Sequence, residues 1–149
     1  VKANYDALQY IKEPSEVVQL QAVQENYLAL RYINEPSVAV LEAAVKQDPQ
    51  AMRQITNLSK ELALYLFKVS APILGYIPNT LGVTVDEIKA IIVEAVSSDN
   101  IDADYVRELI NNKAIGGRQS KWPIDLLSLI DAYGTRAVKK IAVGEYLKY

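Results

Sequence analysis

The sequence contains no cysteine and no histidine. Their absence excludes disulfide scaffolds, thiol nucleophiles and histidine general bases, and it removes the usual ligands of structural zinc. Long apolar runs are missing too. The longest stretch without a charge, Val69 to Val85, has 17 residues and is broken by Pro72, Gly75, Pro78 and Gly82. A membrane-spanning helix needs about 20 predominantly apolar residues. Neither sign of charge is in great excess: 16 Lys and Arg stand against 18 Asp and Glu, a net charge of −2. No global attraction to nucleic acid is expected from that balance. The opening residues Val1 to Leu8 have neither an apolar core nor a small-residue cleavage site, so a secretory signal is not expected and the default compartment is the cytoplasm.

What is present is a chain of 149 residues, half of them hydrophobic, with ten Tyr against one Phe and one Trp. That length suits one domain with a substantial core. An internal repeat organises its first half. Asn4–Glu25 (NYDALQYIKEPSEVVQLQAVQE) aligns without a gap on Asn26–Gln47 (NYLALRYINEPSVAVLEAAVKQ), with 12 of 22 positions identical.

The identities follow helical geometry. Asn4 and Asn26 are N-cap residues, and each is followed by Ala-Leu-x-Tyr-Ile: Ala7, Leu8, Tyr10, Ile11, then Ala29, Leu30, Tyr32, Ile33. Offsets of one, three and four place those residues on one helical face. Glu13-Pro14-Ser15 and Glu35-Pro36-Ser37 then end that helix, because proline disfavours α conformation in the residue before it. The proline itself is expected in the first turn of the next helix. That second helix carries Val18, Ala22 and Val23, matched by Val40, Ala44 and Val45.

The phase persists after the identity fades. Asp48 is the next cap, with Ala51, Met52 and Ile55 in register; Ser70 is a fourth, with Ile73, Leu74, Tyr76 and Ile77. Ser59 repeats the phase of Ser15 and Ser37, and Leu62, Leu66 and Phe67 make the third long helix bulkier. Such bulk suits a junction where the repeats meet something larger.

Beyond Pro78 the register slips. Thr84 and Glu87 form a capping box before Val85, Ile88, Ile92, Ala95 and Val96. Asp102 caps a helix with Val106, Leu109 and Ile110, and a polar, glycine-rich loop runs from Asn111 to Lys121. Trp122-Pro123 is expected to open a helix carrying Leu126, Leu127, Ile130 and Tyr133. Gly134 ends it, and Thr135 caps a last helix with Val138, Ile141, Ala142 and Leu147 on its face. No stretch alternates with period two for long enough to form a strand. The expectation is an all-α protein: an α-solenoid of short helix pairs over residues 1–78, then a C-terminal helical bundle or continued helix pairs over residues 79–149, packed on it.

The phrase ALxYIxEPSxxVxxxAV and the run from Leu30 through Pro36, Val40-Leu41, Ala44-Val45 and Asp48-Pro49 resemble tandem helical repeats of the HEAT-like and leucine-rich-variant kind. Short repeats of this sort are similar to those of phage-encoded and uncharacterised bacterial proteins. The resemblance covers residues 4 to about 69. It implies a binding scaffold, carries over no catalytic residue, and implies no cofactor: the iron–sulfur cluster of one leucine-rich-variant protein needs cysteines.

Three features invite a chemical reading. The cluster Asp99-Asn100-Ile101-Asp102-Ala103-Asp104 has calcium-like composition. However, Ile101, Asp104 and Ile110 stand where an EF-hand needs a ligand, a glycine and a glutamate, so helix capping by Asp102 and dipole matching by Asp104 are the better account. The segment Ile115 to Lys121 has glycines and cations, yet it lacks both the spacing and the preceding strand of a phosphate-binding loop. Cations also collect late in the chain: Lys113, Arg118 and Lys121, then Arg136, Lys139 and Lys140. On a net-acidic chain a solvated face is their ordinary role, and a basic patch for nucleic acid or phosphate is the alternative.

The repeat offers a fourth feature. Gln9, Arg31 and Arg53 share one phase, and Tyr10, Tyr32 and Tyr76 share another. Stacking would bring equal phases into rows, and rows of Tyr and Arg suit protein-binding surfaces. The alternative for Tyr10 and Tyr32 is that they pack between units with only their hydroxyls in water. The arginines share their helices with a core face of Ala29, Leu30 and Ile33, so their guanidinium groups are expected to reach outward, free to pair with a partner protein. Two functional classes follow: a non-enzymatic protein-binding scaffold, such as a phage accessory or host-modulating factor in the host cytoplasm, presenting Arg31, Arg53, Tyr10 and Tyr32; or a nucleic-acid or phosphate binder using the C-terminal cations. No metal, cofactor or membrane is expected.

Overall fold

The computed structural model describes residues 10–116 and 120–147. Their architecture is all-α. Three α-helices, α1 (Glu16–Glu25), α2 (Val38–Gln47) and α3 (Lys60–Val69), alternate with 3-10 helices at Tyr27–Tyr32, Pro49–Gln54 and Ala71–Tyr76. A short 3-10 turn at Asn79–Leu81 leads into α4 (Val85–Ser97), α5 (Ala103–Ile110), α6 (Leu126–Tyr133) and α7 (Arg136–Tyr146). Among the described residues no strand forms; one isolated bridge pairs Ile115 with Trp122.

The serines at 15, 37 and 59 are the N-caps of the long helices, accepting from the N–H groups of Val18, Val40 and Leu62 at 3.1–3.3 Å. Pro14 and Pro36 therefore stand just before the cap, not in the first turn. The serine oxygen takes a first-turn N–H, and the fixed φ of proline suits the non-helical residue that leads into such a cap. Asn26 and Asp48 cap the short segments through the N–H two residues on, both at 2.9 Å. These segments are 3-10 rather than α. With six residues between a cap and an extended isoleucine, bonds such as Ala29 N–H to Asn26 and Ile33 N–H to Leu30 close the turns three residues apart.

Ala22, Val23, Val40, Ala44, Val45, Leu66 and Phe67 are buried along the long helices; Ala29, Leu30, Ala51, Met52, Ile73 and Leu74 are buried along the short ones. Each long helix touches the next, and each 3-10 helix touches the next. α4 follows α3 in that order, α5 lies against the third 3-10 helix, and α7 packs on α5 and α6.

The C-terminal half departs from expectation at Trp122. No helix opens there. α6 begins at Leu126, capped by Asp125, whose carboxylate accepts from Ser128 N–H at 3.1 Å. Trp122 is buried instead, and its indole N–H donates to the carbonyl of Leu74 at 3.1 Å. Leu127, Tyr133 and Leu147, expected in the core, are exposed. Gly134 does end α6, but with extended backbone (φ −67°). Glycine is required there by crowding, since a Cβ would lie 2.5 Å from the carbonyl oxygen of Ile130.

Candidate interaction surfaces

Arg31 and Arg53 lie at the last turns of the first two 3-10 helices, and both are exposed. They are not free in the manner expected. Arg31 Nε donates to Gln54 Oε1 at 3.3 Å, 23 residues on. The guanidinium of Arg53 lies over the ring of Tyr76, 5.3 Å from its centroid. Gln54 and Tyr76 occupy the same repeat phase as Tyr32. Each arginine thus leans on the tyrosine-phase side chain of the following unit, because that phase is one residue ahead of its own. Both braces are neutral. Among the described residues no ion pair involves either arginine, so each charge is oriented without being cancelled.

The tyrosines divide. Tyr32 is half-buried and packs against the core, whereas Tyr10 is 84% exposed. A second inter-unit tie sits on the long helices, where the Tyr65 hydroxyl donates to the Glu42 carboxylate. That bond, with partial burial, raises the Tyr65 hydroxyl above its ordinary value. A third joins the two kinds of helix, with Tyr27 N–H donating to Gln47 Oε1 at 3.1 Å.

The late cations sit on separate elements. The Lys121 ammonium donates to the carbonyl of Ile77 and lies 5.7 Å from the Trp122 ring centroid. Desolvation there lowers its pKa. Lys113 is exposed within the loop, and Arg118 lies outside the described residues. Arg136, Lys139 and Lys140 are exposed on α7. Lys139 lines a groove of about 690 Å³ between α6 and α7, shared with Asp125, Asp131, Leu127, Val143 and Tyr146. The groove mixes carboxylates with an ammonium and an apolar floor.

The acidic cluster serves the helix that follows it. Asp102 caps α5, accepting from Asp104 and Tyr105 N–H at 3.1 and 3.2 Å. Asp104 pairs with Arg107 at 3.2 Å. The carboxyl of Glu108 is raised by burial first and then by Asp102 and Asp104. In the glycine loop, Gly116 has positive φ (94°), residues 117–119 lie outside the described residues, and the Ser120 hydroxyl donates to the Ala114 carbonyl at 2.6 Å.

Four side chains of the C-terminal half converge on the third and fourth repeat units. Tyr105 OH donates to Phe67 O at 2.6 Å and Asn112 Nδ2 to Ala71 O at 2.9 Å. The Trp122 indole and the Lys121 ammonium reach Leu74 O and Ile77 O. The rings of Phe67 and Tyr105 meet at 6.2 Å, at the bulky junction the repeat phase marks. Periodicity alone missed Tyr105; its partner lies 38 residues away, and no local spacing reports such a contact.

No helix among the described residues is long and apolar enough to cross a membrane. No family model, curated protein or solved structure matches the chain.

Proposed function

We propose that the protein is a non-enzymatic protein-binding scaffold, with the exposed edge of its 3-10 helices as the binding surface. The observation that supports this most is the pair of braced arginines. Arg31 and Arg53 are held by an amide and a ring, neither of which neutralises them. A guanidinium fixed in orientation and left with its charge is suited to bidentate pairing with a carboxylate. The proposal assigns Tyr32 and the exposed Tyr10 to the same surface on their shared repeat phase. The resemblance of residues 4 to about 69 to HEAT-like and leucine-rich-variant arrays supports the same reading, and a phage accessory or host-modulating role in the cytoplasm accords with it. The basic-patch alternative has less behind it: Lys121 is committed to a backbone carbonyl, and Lys139 shares its groove with Asp125 and Asp131.

Affinity capture from host lysate, repeated with variants and across a salt series, tests the reading. Arg31→Glu with Arg53→Glu should abolish capture while the melting temperature stays nearly unchanged. Charge reversal at Lys121, Lys139 and Lys140 should matter less. If binding is instead lost through the C-terminal set and falls steeply with salt, the nucleic-acid reading replaces this one.

A further inference from the structure

Independently of the arginine edge, we infer that the open face of α6 and α7 is where a second copy of this chain docks. The two copies are related by a two-fold axis that sets Lys139 of each against Asp125 of the other. The inference starts from an apolar face that the fold leaves uncovered. Leu127 on α6 and Val143, Tyr146 and Leu147 at the end of α7 are between 44% and 77% exposed. They surround the buried Ile130 and Ala142 in one groove. An exposed apolar patch with a polar rim marks an interaction site.

The rim selects the occupant. Only Gly134 and Thr135 separate α6 from α7, and the two helices touch. Their far ends meet as well: the Tyr146 hydroxyl is raised by burial first and then by the charge of Asp125. The pair is therefore an antiparallel hairpin. Asp125, the cap of α6, stands at its open end, and hydrogen bonds from Ser128 keep that carboxyl below its ordinary value and so charged. Lys139 stands towards the closed end, with Arg136 and Lys140 exposed nearby on α7 and Asp131 offsetting one of the three cations. Among the described residues neither Lys139 nor Asp125 forms an ion pair. The described face is thus negative at one end, positive at the other, and apolar between.

A two-fold axis perpendicular to such a face exchanges its ends. Each ammonium then meets the other copy's carboxylate, and both pairs form together. A parallel arrangement would set like charge on like, and a partner of one sign would suit one end and be repelled by the other. Relief agrees with charge. Leu127 and Tyr146 also line a second groove, of about 510 Å³, on the side of Ile110 and Pro123. They form a ridge between two grooves, and ridges entering grooves are how helical faces interlock.

Sedimentation equilibrium of the intact chain tests this. A reversible dimer is expected, with a Kd of about 1–100 μM, as suits a small face. Leu127→Gln with Val143→Gln, both at exposed helical positions, should weaken it by at least about tenfold. Lys139→Glu should weaken it by about tenfold, and less so in high salt. Adding Asp125→Asn, which keeps an oxygen to cap α6 but removes the charge that the new carboxylate would face, should recover most of that loss. Circular dichroism melts establish that the variants are folded; Lys139→Glu serves alone if the glutamine pair lowers the melt.

A chain that stays monomeric up to about 1 mM overturns the inference. So does a dimer indifferent to these substitutions, or one in which Asp125→Asn fails to rescue Lys139→Glu. Cosedimentation with phosphatidylserine vesicles, lost on Leu127→Gln with Val143→Gln, would assign the face to a lipid surface and overturn it too.

Discussion

The two halves of the chain are held together by different kinds of bond. Within the repeats, units are tied by surface side chains: Arg31 to Gln54, Arg53 to Tyr76, Tyr65 to Glu42. The partners lie at a constant offset because the same unit is laid down again. The C-terminal half meets the repeats through side-chain donors, Tyr105 and Trp122 among them buried, each specific to one backbone carbonyl: Tyr105, Asn112, Trp122 and Lys121 on Phe67, Ala71, Leu74 and Ile77. A periodic sequence can satisfy its own next copy with exposed, exchangeable contacts. The end of the series has no further copy, and its carbonyls are satisfied by a non-periodic segment. Removing an exposed tie should therefore cost little, and removing a buried anchor much.

Trp122→Ala should give the largest effect, since it deletes a buried indole and its bond to Leu74; a loss of about 3–5 kcal/mol is expected from chemical denaturation. Equal loss on Arg53→Ala would erase the contrast between the halves. Ala44→Leu, at a fully buried position of α2, should overpack the seam by roughly 1–3 kcal/mol. Gln47→Leu, one turn away, should cost about 0.5–1.5 kcal/mol, because it strips the exposed Tyr27 N–H of its acceptor. The caps sharpen the comparison further. Asp48→Ala removes the bond to Gln50 N–H and should cost about 1 kcal/mol. Ser70, buried at the junction, makes no side-chain capping bond, and Ser70→Ala should cost less than Asp48→Ala.

The smallest expected effect is one of pH. Hydrogen bonding from Thr84 N–H, then from Lys60, holds the Glu87 carboxyl below its usual 4.5. A pKa lowered by folding contributes stability above the unfolded value, and that stability is lost as pH falls through the folded one. Glu87→Gln should flatten the decline of the melting temperature below about pH 4.5 while hardly moving it at neutrality. An unchanged acid slope would mean that the α3–α4 contact between Lys60 and Glu87 is immaterial there.

The repeat half is largely legible in the sequence because its determinants are local. Asn26, Asp48 and Ser37 announce helix starts within three residues, and the buried faces recur with the period. The bracing of Arg31 and Arg53 was also within reach, since Gln54 and Tyr76 stand one phase ahead in the next unit. The C-terminal half is less legible. Trp122-Pro123 has the local look of a helix start, but the indole N–H is settled by a carbonyl 48 residues away. Leu127 and Leu147 carry helical periodicity without burial, because periodicity marks an apolar face and does not say what covers it.

The carbonyl anchors also set an order of events along the chain. The repeat ties close loops of 20 to 23 residues, whereas the anchors close loops of 38 to 48. Loop-closure entropy grows with length, and local contacts form faster than distant ones. A ribosome also delivers the repeats first. On that ordering the repeat array is expected to form first, with the carbonyls of Phe67, Ala71, Leu74 and Ile77 in water until Tyr105 through Trp122 complete its edge.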